Sequence, residues 1–173
     1  VSQNLNYNKK EKFKVFFLNR SGGHAHTSGL ILDQKYLIDD SKLSNRTKLL
    51  ISHEVAHYWW GINVDSSQSS LFEGLSEYSA LLYMEEIEKV NIKDFYVDKS
   101  IQLELNPLDK IKFDTITPYN DNFYRTFSYS KLPLILIEIE NEIGREKMLI
   151  KLKNLFFKFN SINKKIIIVW SYC

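Results

Sequence analysis

The distribution of apolar and polar residues along the chain predicts strands near the start and helices after them. Two segments rich in Phe, Val, Leu and Ile are typical of strands joined by a loop at 21–29, namely 13–18 and 30–38. Ser41 or Ser44 can cap a helix that runs to about Trp60, where Gly61 supplies a stop. Further helices are predicted over 71–90, 92–105, 129–142 and 145–159, and the apolar run 166–170 fits a strand or a helix start. Strands followed by helices indicate an α+β fold that is mainly helical.

Length and composition narrow the class of protein. The 173 residues suit a single domain, 1–173, with a frayed polar start at 1–12, and 44% hydrophobic residues suffice for a packed core. A net charge of only +2 argues against nucleic-acid binding, and no apolar run is long enough to span a membrane. Cys173 is the only cysteine, which excludes an intrachain disulfide and indicates a disulfide-free, reducing context. Because the chain begins at Val1 rather than Met, either its N-terminus was removed or it is a piece of a longer protein with further domains, and we favour the second.

The most informative segment is His53-Glu54-Val55-Ala56-His57, in the first predicted helix. Positions i and i+4 of a helix share a face, so both imidazoles can reach one metal ion, and zinc binds imidazole nitrogen at about 2.0–2.1 Å. Glu54 lies beside a ligand and can reach a metal-bound water as a general base. The alternative is a pair of ordinary helix histidines, but two of the chain's four histidines fall in this motif. The motif therefore predicts one zinc ion (Zn2+) per chain.

A catalytic zinc site needs a third protein ligand and leaves one position for water. Glu73 and Glu77 follow His57 with 15 and 19 residues between, and they share one face of the next predicted helix. One of them can bind the metal while the other accepts a hydrogen bond from a ligand histidine and fixes its tautomer. Spacing alone leaves these two roles open.

The segment HEVAHYWWG at 53–61, followed by EGLSEY at 73–78, resembles the M1 family of gluzincin metallopeptidases. In that family the HExxH helix runs into an aromatic turn that ends in Gly, and the third ligand is the Glu of a Glu-Gly pair. The resemblance covers roughly residues 13–159 and implies a thermolysin-like catalytic domain, with Glu73 as the ligand and Glu77 orienting His53. The two motifs lie closer together than is usual in the family, which a shortened polar loop at 65–70 would explain. Spacing by itself would favour Glu77.

The resemblance extends to Tyr129-Ser130-Lys131, which is similar to the family's Tyr-x-Lys-Gly segment, although Leu132-Pro133 stands where Gly-Ala is usual. The family's tyrosine donates to the oxyanion of the tetrahedral intermediate, so the resemblance implies that Tyr129 is catalytic and shares this charge with zinc. Because the chain has ten tyrosines, a core or surface position is the alternative. Asp121, Tyr124 and Arg125 could line the same pocket.

A Gly-rich segment, Gly22-Gly23-His24-Ala25-His26, stands where M1 aminopeptidases carry a Gly-x-Met-Glu-Asn strand. The glycines suit an edge that pairs with a substrate backbone, which makes Gly22, Gly23 and His24 candidate substrate-binding residues. The alternative for His24 and His26 is simple exposure in a loop. The glutamate that binds a free amino group in that family has no counterpart here, so exo- and endopeptidase activity both stay open.

Together, the motifs and the resemblance predict a zinc metallopeptidase, an aminopeptidase-like hydrolase acting on peptides or proteins. Glu54 would take the proton of the attacking water and pass it to the leaving amine. One alternative is a non-catalytic zinc-containing module that binds peptides or belongs to an assembly, against which the retained Glu54 argues. Zinc with a general base can also open an epoxide or cleave an ester. Similar bacterial proteins are membrane-associated through other segments, so the compartment is left open.

Overall fold

A small sheet forms the N-terminal part of the protein in the computed structural model, which describes residues 14–36, 43–63, 69–105 and 121–159. Its strands are β1 (Lys14–Leu18), β2 (Gly23–His26) and β3 (Gly29–Asp33). β3 lies in the middle, parallel to β1 and antiparallel to β2. Leu30 and Leu32 of β3 are buried, as expected for a central strand, whereas β2 is an edge strand within the described ranges.

Two sequence predictions for this region are wrong. The predicted loop 21–29 contains β2, because Gly22 and Gly29 adopt φ values of +78° and +153° that allow the chain to reverse at either end of this strand. The predicted strand 30–38 ends at Asp33, and a short 3-10 turn follows at Gln34–Tyr36. The Asp33 carboxylate accepts the backbone N–H of Lys35 at 3.0 Å, a local bond that favours a turn over continued pairing.

The first helix, α1 (Asn45–Ala56), begins directly after Ser44, which is one of its two predicted caps. The other predicted cap, Ser41, lies outside the described residues. The Ser44 hydroxyl accepts the backbone N–H of Thr47 at 3.1 Å, which satisfies one of the free donors of the first turn. The helix ends at Ala56 rather than at Trp60. Both Trp59 and Trp60 donate their backbone N–H to the Ala56 carbonyl, so the chain tightens into turns before Gly61, where φ is +107°.

The remaining described elements are helical, and they are α2 (Ser69–Glu86), α3 (Lys93–Leu105), α4 (Asp121–Thr126), a π-helical turn (Phe127–Lys131), α5 (Leu132–Ile143) and α6 (Arg145–Phe159). The prediction for α6 is confirmed, and Gly144 separates it from α5 with φ +87°. For the predicted helix 71–90, the observed α2 begins two residues earlier and ends four residues earlier than predicted. α4 lies between the predicted helices 92–105 and 129–142, where the sequence pattern predicts no element.

Tyr129 lies in the π-helical turn, not at the start of an α-helix as predicted. In this turn the backbone N–H of Leu132 bonds to the carbonyl of Phe127, five residues earlier. Pro133 has no N–H to give to the Tyr129 carbonyl, its α-helical acceptor, so the α-helical ladder is interrupted here. Local sequence therefore explains why the chain widens at this residue.

The hydrophobic core lies between α2 and the C-terminal helices. Tyr78 and Leu75 of α2 are buried together with Leu136 of α5 and side chains of α1 and α6. Trp60 is also buried in this core, and Trp59 packs against it. The core therefore anchors α2, which follows the HExxH helix.

These elements confirm the predicted α+β fold with a mainly helical composition. No helix in the described ranges is long and apolar enough to cross a membrane. The predictions for 1–12 and 166–170 lie outside the described residues.

Candidate metal centre

Two neighbouring helices bring the candidate ligands together. α1 presents His53, its C-terminal cap residue His57 follows one turn later, and α2 presents Glu73 opposite them. The Glu73 Oε2 atom lies 3.2 Å from Nε2 of His53 and 3.3 Å from Nε2 of His57. Ligand atoms around a tetrahedral zinc with bonds of about 2.0–2.1 Å are separated by about 3.3 Å. One ligand atom from each of the three residues lies within 4.8 Å of the others, so this set could hold a divalent cation.

Both histidines have Nδ1 engaged on the side away from Glu73. His53 Nδ1 lies 2.8 Å from Glu77 Oε2, and His57 Nδ1 lies 3.0 Å from the Trp60 carbonyl. A carboxylate and a carbonyl are acceptors, so in its neutral form each ring would place its proton on Nδ1 and leave the Nε2 lone pair free for a metal, the tautomer that a metal ligand needs.

The turn after α1 contributes to this arrangement. Because α1 ends at Ala56, the chain turns back and the Trp60 carbonyl comes within reach of the His57 ring. The Ser76 hydroxyl of α2 lies 3.1 Å from the same Nδ1 nitrogen. The aromatic turn thus holds a candidate ligand histidine, and its Trp60 side chain packs in the core.

The charges of the centre favour a cation. Burial opposes a charged His53, but hydrogen bonds with Glu73 and Glu77 outweigh it and raise its pKa to about 9. Burial likewise opposes ionisation of Glu73, yet its bonds with the two histidines hold its pKa well below the ordinary value. Burial acts against the charged form of Glu77 too, and the bond from His53 and the charge of Lys99 hold its pKa at about 2. The half-buried carboxylate of Glu73 and the buried carboxylate of Glu77 therefore stay anionic around the histidines.

Glu54 projects from α1 toward the sheet. Glu54 is 6% exposed and lies against Gly23 of β2. A Cβ atom added at Gly23 would come within 2.7 Å of the Glu54 carboxylate. Burial raises the pKa of Glu54, while the charges of His53 and His57 oppose that rise. A carboxylate in such a site is suited to accept a proton.

Tyr129 reaches the centre from the π-helical turn. Its hydroxyl donates to Glu73 Oε2 at 2.6 Å, and its ring stacks on the His53 ring with centroids 5.5 Å apart. Burial and the nearby charge of Glu73 raise the pKa of Tyr129 far above its ordinary value. The phenol therefore stays a proton donor beside the candidate ligands.

The other sequence candidates lie farther out. His24 of β2 is exposed, and its charge still bears on Glu54, whereas a Cβ on Gly22 would meet nothing within 4 Å. Arg125 borders a cavity of about 320 Å³ beside Tyr129. Tyr124 is half-buried near Glu73, and the side chain of Asp121 lies outside the described part of the chain.

Sequence reasoning missed Lys99. This lysine of α3 is 8% exposed, and its Nζ atom lies 2.5 Å from Glu77 Oε1 and 2.7 Å from the Tyr129 carbonyl oxygen. Its helix has a mixed pattern in which lysine is an ordinary surface residue, so no spacing relates it to the motifs. Predicting the position of Lys99 would have required knowing that α3 packs on the π-helical turn.

Comparison with known proteins yields no matching family model, no matching curated protein and no matching solved structure. The function is therefore inferred from the residues and geometry of the centre.

Proposed function

We propose that the protein is a zinc-dependent peptidase that hydrolyses peptide bonds, with an M1 aminopeptidase-like centre in a thermolysin-like domain. The observation that carries this proposal is the convergence of His53, His57 and Glu73 with both Nε2 atoms facing one carboxylate oxygen. The HExxH and Glu-Gly motifs and their resemblance to gluzincin peptidases support the choice of zinc and of amide hydrolysis.

The ligand residues would be His53, His57 and Glu73, with Glu77 orienting His53. Zinc held by these residues would supply Lewis acidity, which would lower the pKa of a water toward 7 and polarise the scissile carbonyl. Glu54 takes a proton from the attacking water and delivers it to the leaving amine. Its burial supports this role, because a carboxylate with a raised pKa can both accept and return a proton.

Tyr129 would stabilise the oxyanion. Its hydroxyl donates to the Glu73 oxygen, which places a proton donor beside the proposed ligand set. A fixed donor in a buried site stabilises developing charge more strongly than water does.

The substrate backbone would lie along β2. Among the described residues this strand pairs with β3 on one side and with no strand on the other, and Gly23 brings it against Glu54. An extended peptide can add to such an edge through main-chain hydrogen bonds. The strand and the base would then position the scissile bond together.

The test is elemental analysis of zinc in the purified protein, before and after treatment with a chelator, followed by a peptide-substrate screen. We expect about one chelatable zinc per chain and hydrolysis that is lost with the metal and regained on adding it. Glu54→Gln should retain zinc and lose activity by about 10²–10⁴-fold. Glu86→Gln, on an exposed position of α2, is the matched control and should be as active as the parent.

Equal activity of Glu54→Gln and the parent would contradict the assignment of the base. A zinc-loaded parent that binds peptides and hydrolyses none would favour the non-catalytic module, and a protein that takes up no zinc would remove the proposed centre.

A further inference from the structure

Lys99 is buried among groups that surround the candidate metal centre. Lysines are almost never fully buried unless they are paired, and this one has two acceptors on two different elements. Nζ lies 2.5 Å from Glu77 Oε1 on α2 and 2.7 Å from the Tyr129 carbonyl in the π-helical turn. One ammonium group on α3 therefore connects Glu77, the hydrogen-bond partner of His53, with the backbone of Tyr129.

The two oxygens of Glu77 have different partners. Oε2 faces His53 Nδ1 at 2.8 Å, and Oε1 receives the Lys99 ammonium. A carboxylate held through both oxygens cannot rotate without breaking one of these bonds. The contact with Lys99 thus fixes the direction from which Glu77 accepts the His53 proton, and so fixes the plane of that imidazole.

The second acceptor exists because of the local sequence. Pro133 cannot donate to the Tyr129 carbonyl, so this oxygen is available to a side chain. Lys99 donates to it and thereby ties the π-helical turn to Glu77. The hydroxyl of the same Tyr129 reaches Glu73 on the other side of the centre.

We propose that Lys99 is a positioning residue that sets the orientation of His53, through Glu77, and the placement of Tyr129, through its backbone carbonyl. This inference rests on the proposed metal centre. Lys99 contacts neither the candidate ligands nor the reacting atoms, so it acts only through these two neighbours.

The first test is the zinc dissociation constant of Lys99→Met, measured by competition with a chromogenic chelator. Loss of a residue from the hydrogen-bond network that orients a metal ligand weakens metal affinity by about 10- to 100-fold. We expect a loss in this range for Lys99→Met. The visible absorption spectrum of the cobalt-substituted protein should also change, because it reports ligand geometry, which a purely structural role would leave as it is.

Two further variants establish the route of the effect. Lys99→Met combined with Glu77→Gln should weaken zinc binding by little more than Glu77→Gln alone, since both changes release the same imidazole. Lys48→Met is the matched control, because Lys48 pairs with Glu88 away from the centre, and it should bind zinc like the parent.

Parent-like zinc affinity and an unchanged cobalt spectrum in folded Lys99→Met would overturn the inference, as would fully additive effects in the double variant. If Lys99→Met does not fold, Lys99→Gln decides, because it keeps a donor without the charge and with a shorter reach. Weaker zinc binding by that variant supports the inference, and parent-like binding overturns it.

These measurements do not use peptide hydrolysis, so they separate the two proposals. A parent that binds zinc without cleaving peptides fails the proposed function while Lys99 is still tested, and a parent that binds no zinc overturns both.

Discussion

At the scale of single residues, the two histidines of the centre are held by acceptors of different strength. His53 faces a buried carboxylate, Glu77, whereas His57 faces the neutral carbonyl of Trp60. Hydrogen bonds to charged acceptors are roughly twice as strong as those between neutral groups. The orientation of His53 should therefore depend on one side chain, while that of His57 depends on the backbone of the aromatic turn.

The roles of Glu73 and Glu77 can be separated by substitution. Glu77→Ala should raise the zinc dissociation constant by about 10- to 100-fold, because it removes a bond to a ligand and leaves all three ligands in place. Glu73→Ala should raise the constant further, because it removes a ligand. Competition with a chelator measures both, and Glu85→Ala on the same helix is the control. The reverse order would exchange the two roles.

The residues of the centre differ in how far local sequence could predict them. His53, Glu54 and His57 follow from helix geometry alone, because the last turn of α1 and its cap residue place them. Glu73 could be chosen over Glu77 only through the family resemblance, since both lie on one face of α2. The contacts of Lys99 depend on the packing of three separate segments, which no spacing in the sequence encodes.

At the scale of elements, the contact between α2 and α5 depends on Gly74. A Cβ atom at this position would overlap the side chain of Leu132. The glycine of the Glu-Gly pair thus lets the first turn of α5 approach the helix that carries Glu73. The same close approach keeps the π-helical turn, which precedes α5, beside the centre.

Gly74→Ala should therefore lower the free energy of unfolding, by about 1–3 kcal/mol, because either helix must shift to admit the methyl group. Urea denaturation measures this change. Combining the substitution with Leu132→Ala, which removes the atoms nearest to the new methyl group, should give a smaller loss than the sum of the single changes. Additive losses would show that this contact is not what limits the approach.

Element boundaries show where propensity is overridden. The apolar residues of the aromatic turn extend the helical pattern to Trp60, yet the helix ends at Ala56 because backbone bonds converge on the Ala56 carbonyl. β2 was not predicted, because its residues (Gly, His and Ala) show no alternation of apolar and polar side chains typical of a strand. Its position depends on pairing with β3 and on contact with α1, which are tertiary effects.

At the scale of the whole molecule, a polar cluster joins the ends of three helices. Arg145 at the start of α6 pairs with Glu85 and Glu86 of α2 and with Glu140 of α5. The hydroxyl of Tyr78, whose side chain is buried in the core, donates to the same Glu140. The cluster therefore links α2, α5 and α6 beside the helical core.

This cluster predicts a pH dependence of stability. Burial and the bond to Glu140 raise the pKa of Tyr78 well above its ordinary 10.0 in the folded protein. Above about pH 10 the unfolded chain loses this proton and the folded chain keeps it, so the free energy of unfolding should fall as pH rises, by up to about 1.4 kcal/mol per pH unit. Denaturation of the parent and Tyr78→Phe across alkaline pH tests this. An equal slope in the variant would contradict the assignment to Tyr78.

Under the proposed peptidase function, the contact of Gly23 with Glu54 has a consequence for where a bound peptide would be cut. A strand advances about 3.3–3.4 Å per residue, and equivalent hydrogen-bonding positions recur every second residue. A peptide added to β2 can therefore shift only in two-residue steps if it is to keep its main-chain bonds. Because the carboxylate of Glu54 lies against one residue of that strand, these steps would be counted from Gly23. The β2 edge would therefore set the spacing between cleavage sites along one substrate to multiples of two residues.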